Sequence, residues 1–205
     1  MNQRTMTQLD LDILYRIIMK RVGSNYSVEQ LSYLIGKPDD YVAKVELLEA
    51  DLYTAEDLRC IATALGDEEV DSYYPLHTDE SQLVVSMQKE YTSETCIYTC
   101  NILEGEEVAY NYFTLKDDSE RSIQSTQDSD FERSLVTDAL QLLLKADFFY
   151  EEQMAVKVQM ALQFILARKL NPCTIKSAIK DFCAGQQPLL QTVMIENARF
   201  GYQQP

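Results

Sequence analysis

The residues that could do chemistry in this 205-residue chain are few and lie far apart. Its one histidine, His77, follows an acidic, proline-containing stretch that we expect to be a solvated loop. No base therefore stands near a serine or cysteine nucleophile. The six glycines are isolated, and no phosphate-binding or nucleophile-elbow motif occurs. We expect no enzymatic activity and no cofactor.

The five cysteines are an odd number and include no CxxC pair. Cys96 and Cys100 lie four residues apart in a predicted strand, which places both on one face and makes a metal pair conceivable. No histidine or further cysteine lies near them in the sequence, and this favours two small, half-buried side chains instead. We expect reduced thiols and no metal site.

Charge is distributed unevenly along the chain, whose net charge is −15. Residues 1–130 include 26 acidic and 10 basic side chains, whereas residues 131–205 include 7 acidic and 8 basic side chains. A molecule this acidic repels nucleic acid and anionic lipid at long range. Only the last third could present a basic face.

A basic array is predicted in that last third. Lys176 and Lys180 lie four apart on a helix opened by Pro172, near Arg168, Lys169 and Arg199. Such an array could neutralise several phosphates of a nucleic acid. The alternative is an ordinary solvated helix face.

Short helices are predicted for the first third. Apolar residues recur at helical spacing over 9–22, and Ser27 with Gln30, then Thr54 with Asp57, form two capping boxes. Pro38 suits the first position of a further helix, Pro38–Leu48, with two aspartates in its first turn.

The remaining segments change pattern. Residues 81–91 fit helix or strand, residues 95–103 and 108–115 predict an antiparallel hairpin, and three helices with a terminal hairpin follow from residue 131. The predicted fold class is therefore mainly α with small β elements: an N-terminal helix-turn-helix bundle, a middle β-hairpin and a C-terminal winged-helix-like domain. The predicted segments are a helical domain 1–70, an acidic connector and hairpin 71–116, a linker 117–130 and a winged-helix-like domain 131–205.

The stretch VGSNYSVEQLSYLIGKPDDYVAKVELLEADLYTAEDLRCIATALG resembles the lambda-repressor-like, or Xre-type, helix-turn-helix family over roughly residues 8–70. The resemblance rests on the capped helix with Leu31 and Leu34, the turn at Gly36, and the helix with Val42 and Val45. The resemblance implies that Pro38–Leu48 enters the DNA major groove. The groove-facing residues it implies are Lys37, Asp39, Asp40, Ala43 and Lys44.

Two functions follow as expectations. One is a transcriptional regulator that binds DNA through Lys37, Lys44 and the C-terminal array of Arg168, Lys169, Lys176, Lys180 and Arg199. Asp39 and Asp40 depart from the residue types usual in a DNA-reading helix, because among base edges a carboxylate can accept a hydrogen bond only from cytosine N4 and phosphates repel it. The alternative is an acidic interaction module that contacts a basic protein through Asp39 and Asp40 without binding DNA. A homodimer is compatible with either.

No run approaches the ~20 apolar residues that a bilayer-spanning helix needs. Asp10 and Asp12 interrupt the first apolar stretch, which excludes a secretory signal core. We expect a cytoplasmic protein without membrane contact.

Overall fold

A computed structural model describes residues 2–67, 69–76, 79–92, 95–119 and 130–205. His77 and residues 120–129 of the predicted linker lie outside the described residues. Contacts divide the chain into two units: residues 1–31 with 40–124, and residues 32–39 with 125–205. The predicted boundaries after residues 70, 116 and 130 stay predictions.

The first unit combines helices with an antiparallel sheet. In chain order its elements are β1 Asn2–Thr7, α1 Gln8–Gly23, α2 Val28–Leu34, α3 Tyr41–Glu46, α4 Ala55–Leu65, a 3₁₀ turn Val70–Tyr73, β2 Gln82–Tyr91, β3 Cys96–Glu104 and β4 Glu107–Asp117. The four strands lie in the order β1-β2-β3-β4, and each pairs antiparallel with its neighbour. The last residues of α2, from Ser32, are grouped with the second unit.

One core joins the sheet to the helices of this unit. Strand β3 shows the expected alternation, with every second side chain from Cys96 to Ile102 buried. These side chains pack with Leu14 and Ile18 of α1, with Val45 of α3 and with buried residues of the other three strands. The four strands and the two helices bury a hydrophobic face that an isolated two-stranded hairpin would lack.

Both predicted capping boxes are confirmed. The Gln30 amide donates to Ser27 Oγ at 3.1 Å, and the Ser27 amide donates to Gln30 Oε1 at 3.0 Å. Thr54 and Asp57 exchange the same pair of bonds at 3.1 and 2.9 Å. Each box satisfies backbone donors that the first helical turn leaves without partners.

A fully buried ion network also lies in this unit. The Arg21 guanidinium donates to both carboxylate oxygens of Glu46, at 2.7 and 2.8 Å, and lies 2.9 Å from Asp117 Oδ2. It also donates to the Tyr26 carbonyl at 2.9 Å, and it lies 5.8 Å from the ring centroid of Tyr98. Burial alone would raise the pKa of Asp117, but Arg21 and the Ser119 hydrogen bonds outweigh it and lower that pKa.

In its described residues from 130 onward, the second unit has three helices and a small sheet. Its elements are α5 Asp130–Lys145, β5 Gln153–Met154, α6 Ala155–Leu166, α7 Pro172–Phe182, β6 Gln191–Ile195, a 3₁₀ turn Glu196–Ala198 and β7 Arg199–Gln203. Strand β7 lies between β5 and β6. Asn171 caps α7 as predicted, since its side chain accepts from the Cys173 amide at 2.9 Å.

The predicted fold class is wrong. The described residues form helices and two antiparallel sheets: a four-stranded sheet whose strands lie within residues 2–7 and 82–117, and a three-stranded sheet toward the C-terminal end. Residues 2–7 form an edge strand, and residues 82–91 form a second strand, so the predicted hairpin is one half of a larger sheet. Helices α1 and α3 share a core with that sheet, so the N-terminal helices do not form a bundle separate from it. The winged-helix-like prediction counted two terminal strands, whereas a third, β5, precedes α6.

No helix in the described part of the chain is both long and apolar enough to cross a bilayer.

Replacing Arg21 by Met tests the buried network. Methionine fills a similar space but leaves two carboxylates buried without a cation, so we expect unfolding in urea to require ~3–5 kcal/mol less free energy. Arg59→Met is the matched control, because Arg59 forms an exposed pair with Glu56 and should change stability by no more than about 0.5 kcal/mol. Equal effects of the two variants would contradict the structural role of Arg21.

Candidate functional site

The predicted recognition helix is shorter than expected. Helix α3 covers Tyr41–Glu46, whereas the sequence predicts Pro38–Leu48. Pro38 therefore lies before the helix, and Leu48, with a φ of +60°, lies after its end. The Asp40 side chain makes no capping bond to the helix backbone. It pairs instead with Lys44 at 2.5 Å, which lowers the pKa of Asp40 and raises that of Lys44.

The turn between α2 and α3 belongs to the second unit through residues 32–39. The Phe200 amide of β7 donates to the Gly36 carbonyl at 2.6 Å. Gly36 has a φ of +70°, and a Cβ atom there would lie 2.6 Å from the Phe200 carbonyl oxygen. Only glycine therefore fits this close approach of two backbones.

Asp39 is held next to the same contact. Lys176 of α7 donates to both Asp39 carboxylate oxygens, at 2.6 and 2.7 Å. The Lys176 ammonium also lies 5.6 Å from the ring centroid of Tyr33, within the range of a cation–π contact. Burial and the nearby Tyr202 raise the pKa of Tyr33, which keeps this ring neutral. Lys176, which the sequence predicts to bind DNA, thus neutralises Asp39, which the sequence predicts to contact a protein partner.

The other predicted cations are placed in different ways. Arg168 pairs with Glu132 at 3.2 Å, and Arg199 is only 3% exposed. Lys37 is half-buried, whereas Lys169 and Lys180 are exposed. Lys176 and Lys180 do share the exposed side of α7, as their spacing predicts. Among the predicted contacts, Lys44, Arg168 and Lys176 thus each pair with a carboxylate, and Arg199 is buried.

The two neighbouring cysteines of β3 are buried. Cys96 and Cys100 both point into the core of the first unit. Burial raises the pKa of the Cys100 thiol to about 12, which opposes formation of the thiolate that a metal needs. Within the described ranges no three histidine, cysteine or acidic residues come together as a metal site, and no disulfide forms.

An exposed apolar surface on α6 is the feature that the sequence reasoning missed. Helix α6 buries Val158 and Leu162 completely, yet Met160, Phe164 and Ile165 of the same helix are 55%, 88% and 40% exposed. We call these three residues the α6 stripe. Nine of the twelve residues in AVKVQMALQFIL are apolar, more than one buried face requires. That excess was the available signal.

Comparison with known proteins gives no relative for this chain. No family model matches it, and neither the curated proteins nor the solved structures contain a match.

Gly36→Ala tests the close approach between the turn and β7. Gly105→Ala is its matched control, because Gly105 has a similar φ of +65° but no described atom within 4 Å of the place that an added Cβ would take. We expect Gly105→Ala to lower the free energy of unfolding by about 1–2 kcal/mol through backbone strain alone. Gly36→Ala should lower it by about 1–3 kcal/mol more, because the Phe200 backbone must move.

Circular dichroism during urea unfolding measures both variants. Equal losses for Gly36→Ala and Gly105→Ala would show that the turn is not held against β7.

Proposed function

We propose that this chain is an acidic protein-interaction module that does not bind DNA, and that its partner is a basic protein. The observation that carries the proposal is the α6 stripe. Phe164 is 88% exposed although it lies in a regular helix with a complete apolar face on its other side. Such side chains remain costly in water until another surface covers them.

The α6 stripe has the arrangement of docking residues on a helix. Met160 and Phe164 are four residues apart, so their side chains are neighbours on one side of α6. Helices that dock into a partner present apolar residues at this spacing. An aromatic residue and a flexible methionine are also the side-chain types enriched in protein interfaces. A hydrophobic groove on the partner would fit them.

Charge selects the kind of partner. The net charge of −15 repels a second copy of the same chain and attracts a cationic protein. This long-range attraction extends over a screening length of about 10 Å at 0.1 M salt, so it assists encounter more than it stabilises the complex. The acidic charge lies in residues 1–130, whereas the α6 stripe lies in residues 131–205, which hold 7 acidic and 8 basic residues. The charge therefore brings a cationic protein to the molecule, and apolar contact holds that protein on α6.

The DNA-binding alternative rests on the exposed Lys169 and Lys180 and the half-buried Lys37. Arg168, Lys176 and Lys44 each contact a carboxylate in the fold, which offsets part of the positive charge that they could offer to a phosphate. The acidic remainder of the chain repels the same phosphates. These costs favour the protein partner.

Met160→Ser/Phe164→Ser tests the proposal. The double variant removes the apolar side chains of the stripe without changing a buried residue, and Tyr91→Ser/Val108→Ser is the control with comparable exposed apolar groups in the first unit. A basic protein captured by the wild-type chain is purified and its Kd is measured with all three forms. We expect about a ten-fold or greater loss of affinity for the α6 variant only.

Two results would contradict the proposal. One is a captured protein that binds the α6 variant and the control variant equally well. The other is saturable binding of duplex DNA at ~50 mM salt that Lys176→Glu/Lys180→Glu abolishes, which would favour the DNA-binding alternative.

A further inference from the structure

A cavity in the first unit, separate from the α6 stripe, has the features of a small-ligand site. Its volume is about 370 Å³, within the usual range for small-molecule sites. It lies along α1, where Asp12, Arg16 and Lys20 follow one another at four-residue spacing, and it reaches β4 at Tyr112. Tyr15 and Met19 supply its apolar surface.

The aromatic side of the cavity is fixed by its own contacts. The Tyr15 ring packs against Phe113 with a centroid distance of 4.8 Å and meets the Tyr112 ring edge-on at 6.0 Å. The Tyr112 hydroxyl donates to Asp12 Oδ1, and Gln8 Nε2 donates to the same oxygen at 3.0 Å. Burial and Asp12 raise the pKa of Tyr112, so its hydroxyl stays protonated and the wall keeps its shape.

The other end of the cavity is fixed by Lys20. Its ammonium pairs with Asp67 at 2.9 Å and donates to Ser72 Oγ at 2.7 Å. It also lies 4.4 Å from the ring centroid of Tyr73. Lys20 is therefore positioned, with its charge balanced by Asp67.

Arg16, between these two ends, is different. Among the described residues it forms no ion pair and no hydrogen bond. The residue four positions before it, Asp12, would be its normal helical partner, but Asp12 Oδ1 accepts from Tyr112 and Gln8 instead. Arg16, a half-buried residue, thus lines the cavity beside fixed aromatic rings.

We propose that this cavity binds a small aromatic carboxylate, with the carboxylate on Arg16 and the ring against Tyr15 and Met19. A guanidinium and a carboxylate form two parallel hydrogen bonds in one plane, and this plane suits a flat ligand. Asp12 and Asp67 flank the site and oppose a second negative charge, so a singly charged carboxylate fits better than a phosphate dianion.

Benzoate is the probe, with neutral benzamide and doubly charged phenyl phosphate as comparison ligands. Titration of the 205-residue chain, followed by two-dimensional amide NMR, should show saturable shifts near Tyr15 and Tyr112 with a benzoate Kd of about 1 mM. Benzamide and phenyl phosphate should each bind at least about ten-fold more weakly.

Two variants locate the site. Arg16→Gln removes the cation and should weaken benzoate binding by about ten-fold or more. Met19→Glu places a carboxylate at a position that is 42% exposed and should weaken it similarly without disturbing the core. Arg59→Gln, on the exposed side of α4, is the control and should leave the Kd unchanged.

The proposal is overturned if wild-type protein shows no saturable benzoate binding. It is also overturned if benzamide or phenyl phosphate binds as tightly as benzoate, or if folded Arg16→Gln and Met19→Glu proteins keep the wild-type Kd.

Discussion

The guanidinium of Arg21, which has no access to water, constrains the first unit more than any other group. Arg21 belongs to α1, and its guanidinium contacts Glu46 of α3 and Asp117 at the end of β4. A buried cation between two carboxylates is stable only while all its partners stay in place, because separating them leaves an uncompensated charge in a low dielectric. It also fixes which side of α1 faces inward. With Leu14, Ile17 and Arg21 in the core, the opposite side, carrying Arg16 and Met19, borders the cavity.

The same fold uses many of its few cations internally. Arg21 is buried, Lys20 is held by Asp67, and Lys44, Arg168 and Lys176 each contact a carboxylate. The exposed pairs among these add little stability. Their larger effect is to reduce the positive surface of an already acidic chain, which leaves polyanions little to bind. The two binding functions that we propose therefore use apolar contact and local, individually placed charges such as Arg16.

Local sequence signals predicted the local structure well. The Ser27 and Thr54 capping boxes and the Asn171 cap form as expected, because each depends on atoms within three residues. Strand β1 was not predicted, since Asn2–Thr7 lacks an alternating apolar pattern and becomes a strand by pairing with β2 some 80 positions later. The burial of Arg199 and the contact between Lys176 and Asp39, 137 positions apart, could not be predicted for the same reason. The α6 stripe was visible in composition, whereas the cavity depends on Gln8 meeting Tyr112, 104 positions away.

The path of the chain determines how the two proposed surfaces can be studied. Residues 32–39 are grouped with residues 125–205, although the segments on both sides of them belong to the first unit. The chain therefore passes from one unit to the other three times. A fragment containing only residues 131–205 would lose the carboxylate that pairs with Lys176 and the carbonyl that accepts from Phe200. It would expose a lysine and a strand amide that the whole protein satisfies, and any affinity for phosphate that it showed would belong to the fragment. A chain that includes residues 32–39 keeps these groups in their native pairs.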